Sequence, residues 1–324
     1  MSGRPPASPG DDPVAAAARL TGRTATDPRP MSGALTRLTL TDPRATDPRS
    51  TDPRSTNLRA APPRSTGPRA AGGPVAAVVK RGDGPGAVAA EAAGLRWLAE
   101  ADAVRVPAVL GADAHWLVTE HVPQGPPDAR AAEEFGRDLA ALHAAGAPAF
   151  GAPPPGGPRE ATIGRAPMRN ETGPDWPSWY AEHRVLRYLR LAVDAGALRP
   201  AEAVVVERVC ARLPELAGPA EPPARLHGDL WSGNVLWGAD GAVRLIDPAA
   251  HGGHRETDLA MLRLFGCPHL DRVLAAYDEA APLAAGWTAR VPLHQLFPLL
   301  VHTVLFGRGY ARDALAAARS ALSS

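Results

Sequence analysis

Apolar positions along the chain follow two rhythms, and the change from one to the other divides it. Up to residue 122 short apolar runs dominate. Leu35–Leu40, Val75–Lys80, Val106–Leu110 and His115–Val122 read as strands, and Pro107 marks the third as irregular or at an edge. Thr21–Thr26 is a further strand candidate ahead of them. The helical rhythm appears at 87–100, where Val88, Ala92, Leu95 and Leu98 recur at i, i+4, i+7 and i+10. It then takes over the second part of the chain. Phe135, Leu139 and Leu142 share one face of a helix that Asp128 caps and Gly146 closes. Asp12-Pro13 ahead of Val14–Leu20 has the cap-then-proline start of a short helix. More helices are expected near 200–213, 256–266, 268–281 and 292–306, the last kinked at Pro298, and Trp176–Tyr180 opens another. The stretch 147–175 holds twelve Pro or Gly residues and reads as a loop. The expectation is an α/β (α+β) chain in two lobes. A small lobe over 12–122 is built on an antiparallel sheet, and a larger helical lobe covers 123–324. Residues 1–11 are rich in Pro, Gly and Ser and are expected to be disordered.

One tract fits neither rhythm. Residues 41–70 repeat with a period of five, as in Thr-Asp-Pro-Arg-Ala, and place Arg at 44, 49, 54, 59, 64 and 69. Regular proline disfavours both helix and strand, so 41–73 is read as a disordered insert in the hairpin between the second and third strands. A surface hairpin tolerates such an insert because closure entropy grows slowly with loop length. Residues 1–74 carry eleven Arg and six Asp but no aromatic residue. That composition argues against single-stranded nucleic acid as a partner.

Composition narrows the class further. The 324 residues carry 35 Lys and Arg and 34 Asp and Glu, a net charge of +1, which implies no strongly charged partner. The two cysteines, Cys210 and Cys267, make no disulfide framework and suggest buried thiols in a reducing cytoplasm. No apolar run reaches eighteen residues, so no membrane span is expected.

The chemistry concentrates in residues 226–259. Asp229 and Asn234 stand five apart in His-Gly-Asp-Leu-x-x-x-Asn, the spacing of the protein-kinase catalytic loop, with Gly228 where those enzymes carry Arg. Val235–Trp237 and Ala242–Ile246 read as a hairpin that returns the chain and brings Asp247 near Asn234. Phosphoryl transfer is mostly positioning and charge neutralisation. In that scheme Asp229 orients the attacking hydroxyl, and Asn234 and Asp247 supply hard oxygen ligands for Mg²⁺. Lys80 is the sole lysine and ends a strand; Glu91 follows eleven residues later on a helix. That order suits a lysine held by a glutamate against the phosphates of ATP. Met31-Ser32-Gly33-Ala34 is a candidate phosphate-covering turn. Backbone groups of Glu120–Val122, just before the Pro-rich change at 123–127, are candidates to meet the adenine. His143 and His227 are read as structural, and Asp258 as a cap that braces the loop.

Longer motifs then become specific. HGDLWSGN at 227–234, Asp247-Pro248-Ala249, His251–Glu256 and Asp258–Met261 resemble the fructosamine kinase (ketosamine-3-kinase) family. That family lies within the broad aminoglycoside phosphotransferase and choline kinase group. Glu91-Ala92-Ala93-Gly94-Leu95-Arg96-Trp97-Leu98 is similar to the family's Glu-x-x-Gly-Leu-x-x-Leu. Leu305–Tyr310 resembles its Phe-Gly-Gly-Gly-Tyr segment, with Arg308 replacing a glycine. Ile163–Pro167 resembles the end of Asp-Asn-x-Ile-Gly-x-x-Pro, with Glu160-Ala161-Thr162 standing where the family has Asp-Asn-x. The resemblance implies a protein-kinase-like fold and ATP-dependent phosphorylation of a ketosamine, free or protein-bound, at the sugar 3-hydroxyl. Trp231 then falls beside the acceptor sugar, whose apolar face an aromatic ring can cover. Phosphotransfer to an aminoglycoside or amino-alcohol, or an inactive kinase-like binding protein, is the alternative expectation.

Overall fold

The structure is a computed structural model and describes residues 12–31, 33–43 and 73–323. The expectation of disorder over 1–11 lies outside the described residues. So does that for the repeat tract, except at its edges, where Thr41 still pairs as the last residue of a strand.

Helix α1 (Pro13–Thr21) starts as the sequence suggests, with the Asp12 carboxylate accepting the Val14 N–H at 2.9 Å. Among the described residues five strands form the first sheet: β1 (Thr24–Pro30), β2 (Leu35–Thr41), β3 (Val75–Arg81), β4 (Val109–Ala112) and β5 (Trp116–Glu120). All neighbours are antiparallel, in the order β1-β2-β3-β5-β4. The first strand lies later than Thr21–Thr26, because Thr21 still belongs to α1 and Gly22 turns the chain at φ 65°. Pro28 and Pro30 are accommodated because β1 is an edge strand. Likewise β4 begins only past Pro107.

Strand alternation sorts the side chains of this sheet. Leu38, Leu40, Ala77, Val79, Trp116 and Val118 form a core with Ala16 and Ala17 of α1. The opposite face carries Val78, Lys80, Leu117 and Thr119 toward the cleft between the lobes. Helix α2 (Ala87–Glu100) crosses behind that cleft. Its Leu95 and Leu98 belong to a core shared with Phe135, Leu139, Leu230 and Leu259 of the second lobe, which ties the lobes together.

The second lobe opens with α3 (Ala129–Ala144), capped by Asp128. The stretch expected to be structureless contains a hairpin, β6 (Glu160–Ile163) and β7 (Ala166–Arg169). Then come α4 (Trp176–Trp179), a π-helical segment (Tyr180–Leu186), α5 (Arg187–Asp194), α6 (Pro200–Ala211) and α7 (Leu213–Leu216). Short strands β8 (Ala224–Leu226), β9 (Val235–Trp237), β10 (Val243–Leu245) and β11 (His251–Gly253) frame the motif region. Helices α8 (Glu256–Leu264), α9 (Leu270–Ala280), α10 (Trp287–Phe306) and α11 (Arg308–Ser323) complete it. Helix α10 begins before the expected 292 and runs through both Pro292 and Pro298. The architecture is the two-lobed, protein-kinase-like α/β fold expected.

Candidate active site

β8 and β11 pair antiparallel, and the loop between β8 and β9 carries the motif. Gly228 sits at φ 81°, and a Cβ there would run into the Ala249 carbonyl, so glycine is required where kinases carry Arg. The buried Asp258 carboxylate braces the turn: it accepts the His227 N–H at 2.8 Å and the Gly228 N–H at 3.0 Å. His143 lies 3.2 Å away, on the oxygen that takes the His227 N–H, and is itself bonded to the Tyr277 hydroxyl. Burial pushes the Asp258 carboxyl up, but His143 and the backbone N–H groups more than offset it and hold it below the usual range. His227 Nε2 faces the Ile246 carbonyl at 2.9 Å, so that nitrogen carries the proton and Nδ1 accepts from the Asp229 N–H. Burial lowers the pKa of His227. Both residues support the loop from behind.

The β9–β10 hairpin returns the chain as expected, and the Ile246 N–H bonds the Asn234 carbonyl at 3.1 Å. Asp247 follows at φ 52°, an uncommon conformation for a residue other than glycine and frequent at functional positions. The Asn234 amide nitrogen donates to the Asp229 carbonyl at 2.8 Å and to its carboxylate at 3.2 Å. This leaves the Asn234 Oδ1 as an acceptor. Burial raises the Asp229 pKa to about 7, against the downward pull of the Asn234 hydrogen bond.

From the sheet side Lys80 reaches across. Its Nζ lies 2.8 Å from Glu91 and 3.0 Å from Asp247. Burial works against its charge, but the two carboxylates outweigh it and raise its pKa. Gly94, one helical turn past Glu91, explains how α2 comes so close. A Cβ there would lie 3.1 Å from Pro248 Cγ and 3.3 Å from Ala250 Cβ.

Two cavities meet at Lys80 and Asp247. One, of about 260 Å³, runs under the β1–β2 turn and is lined by Leu35, Val78, Leu117 and Glu120–Val122. The Glu120 N–H is bonded to Ala108 and the His121 N–H to Ala76, while the Val122 N–H enters neither pairing. The candidate turn 31–34 overhangs this cavity through Met31, with Gly33 at φ 66°; Ser32 lies outside the described residues. The second cavity, of about 460 Å³, holds Asp229, Asn234 and Trp231. Trp231 is 40% exposed, so it stands at the cavity wall and not in the core.

Sequence reasoning named Lys80, Glu91, Glu120, Val122, Asp229, Trp231, Asn234 and Asp247, and the fold brings all of them to these two cavities. It missed Arg165 and Phe306, which line the second one. Their signal in the sequence lies in two partial family-like segments, Ile163–Pro167 and Leu305–Tyr310.

The geometry has counterparts among known proteins. The model of the fructosamine kinase family matches residues 79–324. The chain belongs to the fructosamine kinase family. A Synechocystis protein named as a ketoamine kinase is 36% identical over 230 residues, covering 69% of this chain and 75% of the relative. The chloroplastic protein-ribulosamine 3-kinase of Arabidopsis thaliana is 31% identical over 243 residues, 72% of each chain. A crystal structure from Thermobifida fusca, named as a fructosamine-3-kinase, has 44% identity and a TM-score of 0.80, covering 97% of this chain and 99% of that one. This fructosamine kinase family member is an ATP-dependent phosphotransferase.

Proposed function

We propose that the protein phosphorylates a ketosamine, at the 3-hydroxyl of its sugar. The observation that carries the reading is the meeting of the two cavities at Lys80 and Asp247, with Asp229 on the acceptor side. Nucleotide in the first cavity would stack its base between Leu35, Val78 and Leu236 and take a hydrogen bond from the Val122 N–H. Lys80, held by Glu91, would contact its phosphates. A donor set of one amide oxygen and one carboxylate, Asn234 and Asp247, fits a hard cation that keeps substrate oxygens and water as its remaining ligands. When bound, Mg²⁺ supplies charge neutralisation of the phosphates.

Asp229 would accept the hydrogen bond of the attacking hydroxyl and orient it in line. Its raised pKa suits proton acceptance near neutrality. Trp231 would cover the sugar face. The names of the relatives above support a ketosamine acceptor, and the ribulosamine kinase among them supports the 3-position.

The test is ADP release with Mg²⁺ and ribulosyl- or fructosyl-lysine, with the phosphorylated position read by NMR. Turnover abolished by Asp229→Ala is the expected result. Turnover of an aminoglycoside or amino-alcohol but of no ketosamine would overturn the acceptor assignment.

A further inference from the structure

The acceptor cavity continues outward over a surface that the phosphoryl-transfer machinery does not use. From Trp231 an aromatic ledge extends edge-on to Phe265 at 6.1 Å, and from Phe265 to His302 at 5.2 Å. His302 and Tyr310 lie 4.9 Å apart, and Phe306 and Tyr310 5.8 Å. Large apolar groups are seldom left in water side by side, yet Phe265 is 40% and Phe306 60% exposed. Phe306 reaches the cavity itself.

The neighbouring wall carries a cation. Arg165 stands on the exposed β6–β7 turn and lines the same cavity. It forms no hydrogen bond or ion pair with any other described residue. The turn is seated beside the ledge, since a Cβ on Gly164 would lie 3.6 Å from Leu305 Cδ1, next to Phe306. The carboxylates that line the cavity, Asp83, Glu91, Asp229 and Asp247, come from the β3–α2 region and the motif loops. Neither the hairpin nor α10 contributes one.

We infer that the amine half of the acceptor is an apolar α-amino acid, its side chain on the Phe306–Phe265 ledge and its carboxylate at Arg165. This rests on the ketosamine reading and deepens it. With the reacting hydroxyl at Asp229 and the sugar against Trp231, the rest of the acceptor leaves the cavity along the ledge. On the cavity wall that the hairpin and α10 supply, a cationic amine such as that of lysine meets no carboxylate, whereas an apolar side chain and an anionic group each meet a partner.

Initial rates with ATP and Mg²⁺ on the full chain test this with three compounds. Ribulosyl-phenylalanine carries both groups, ribulosyl-glycine lacks the side chain, and ribulosyl-phenethylamine lacks the carboxylate. The phenylalanine compound should exceed the glycine compound about tenfold in kcat/KM, and Phe306→Ala should bring that ratio close to one. It should exceed the phenethylamine compound by about threefold at low salt; Arg165→Ala should remove that preference and Arg165→Lys partly restore it. Each ratio is internal to one protein preparation, so partial misfolding of a variant does not disturb it. Ratios near one in the unmodified chain, or ratios that survive the substitutions, overturn the inference while leaving the ketosamine reading standing. No turnover of any of the three overturns the inference, and it overturns the ketosamine reading as well only where ribulosyl- and fructosyl-lysine also fail.

Discussion

Asp258, buried in the first turn of α8, holds the backbone N–H of His227 at 2.8 Å across 31 residues of sequence. The motif loop is thereby fixed to α8, a helix none of whose residues lines either cavity. Asp258→Ala would strand two loop N–H groups and His143 in a dry interior. Removing one partner from a buried charged network costs about 3–5 kcal/mol. The expected outcome is a fall in Tm together with a fall in kcat of at least about tenfold. Asp258→Asn, which keeps one acceptor, should lie between. Thermal unfolding beside steady-state kinetics checks both; an unchanged kcat in a folded Asp258→Ala protein would contradict the bracing role.

Asp229 should weaken the fold that it serves. Its folded pKa of about 7 lies above the ordinary aspartate value of 3.8, so the unfolded state binds fewer protons between those values. Stability contributed by this group is present below pH 4 and is lost as pH rises toward 7. Asp229→Asn should therefore abolish turnover and yet raise Tm at pH 8 by about 3 °C or more. The gain should shrink toward zero near pH 4, and melting curves at the two pH values show it.

Four buried histidines act with the opposite sign. Burial lowers the pKa of His227, His254 and His294, and brings that of His251 down to about 3. Each is neutral in the folded state while its unfolded counterpart protonates below about 6.5. Stability should fall as pH drops from 6.5 to 5, by at most about 2 kcal/mol for each histidine. His254 and His294 also flank Glu256, whose carboxylate Arg290 already grips on both oxygens, at 2.9 and 2.5 Å. Tm measured across pH 5–8 gives the slope, and a flat profile would contradict the neutral assignments.

Gly94→Val probes the approach of α2 to the loop after Asp247. The added side chain must displace Pro248 or the helix, and either shift moves Glu91 relative to Lys80 and Asp247. A misplacement near 1 Å costs about a hundredfold in rate. The expected result is a large loss of kcat/KM for ATP beside a destabilisation of only about 1–3 kcal/mol, read from the unfolding free energy. A full-rate variant would separate helix position from nucleotide handling.

Much of this was legible because charge and hydrophobic spacing marked it. The sole lysine, the five-residue gap from Asp229 to Asn234 and the hairpin to Asp247 pointed to residues that the fold brings together at the two cavities. The helix over 87–100 came out to the residue, and Asp12 and Asp128 capped where a cap was expected. Other elements carry weaker signals. The β6–β7 hairpin buries only Ala161, Ile163, Ala166 and Met168, and Pro167 sits among them, so Pro and Gly dominated the reading of that stretch. Helix α11 buries a face made of alanines and one leucine, which periodicity in large apolar residues does not register. The ledge was invisible for a different reason. His302 and Phe306 are one turn apart on α10, but Phe265 stands 37 residues ahead of His302 and joins them only when α8 and α10 meet.

The close seat of Gly94 against Pro248 and Ala250 has a bearing on control. Signalling kinases are switched by swinging the helix that carries the paired glutamate away from the nucleotide. Here that helix is wedged against the segment bearing Asp247, with Leu95 and Leu98 built into the core that joins the lobes. Swinging it out would tear open an interior. Control by that swing would cost this packing, so an equivalent of it would have to act elsewhere in the molecule.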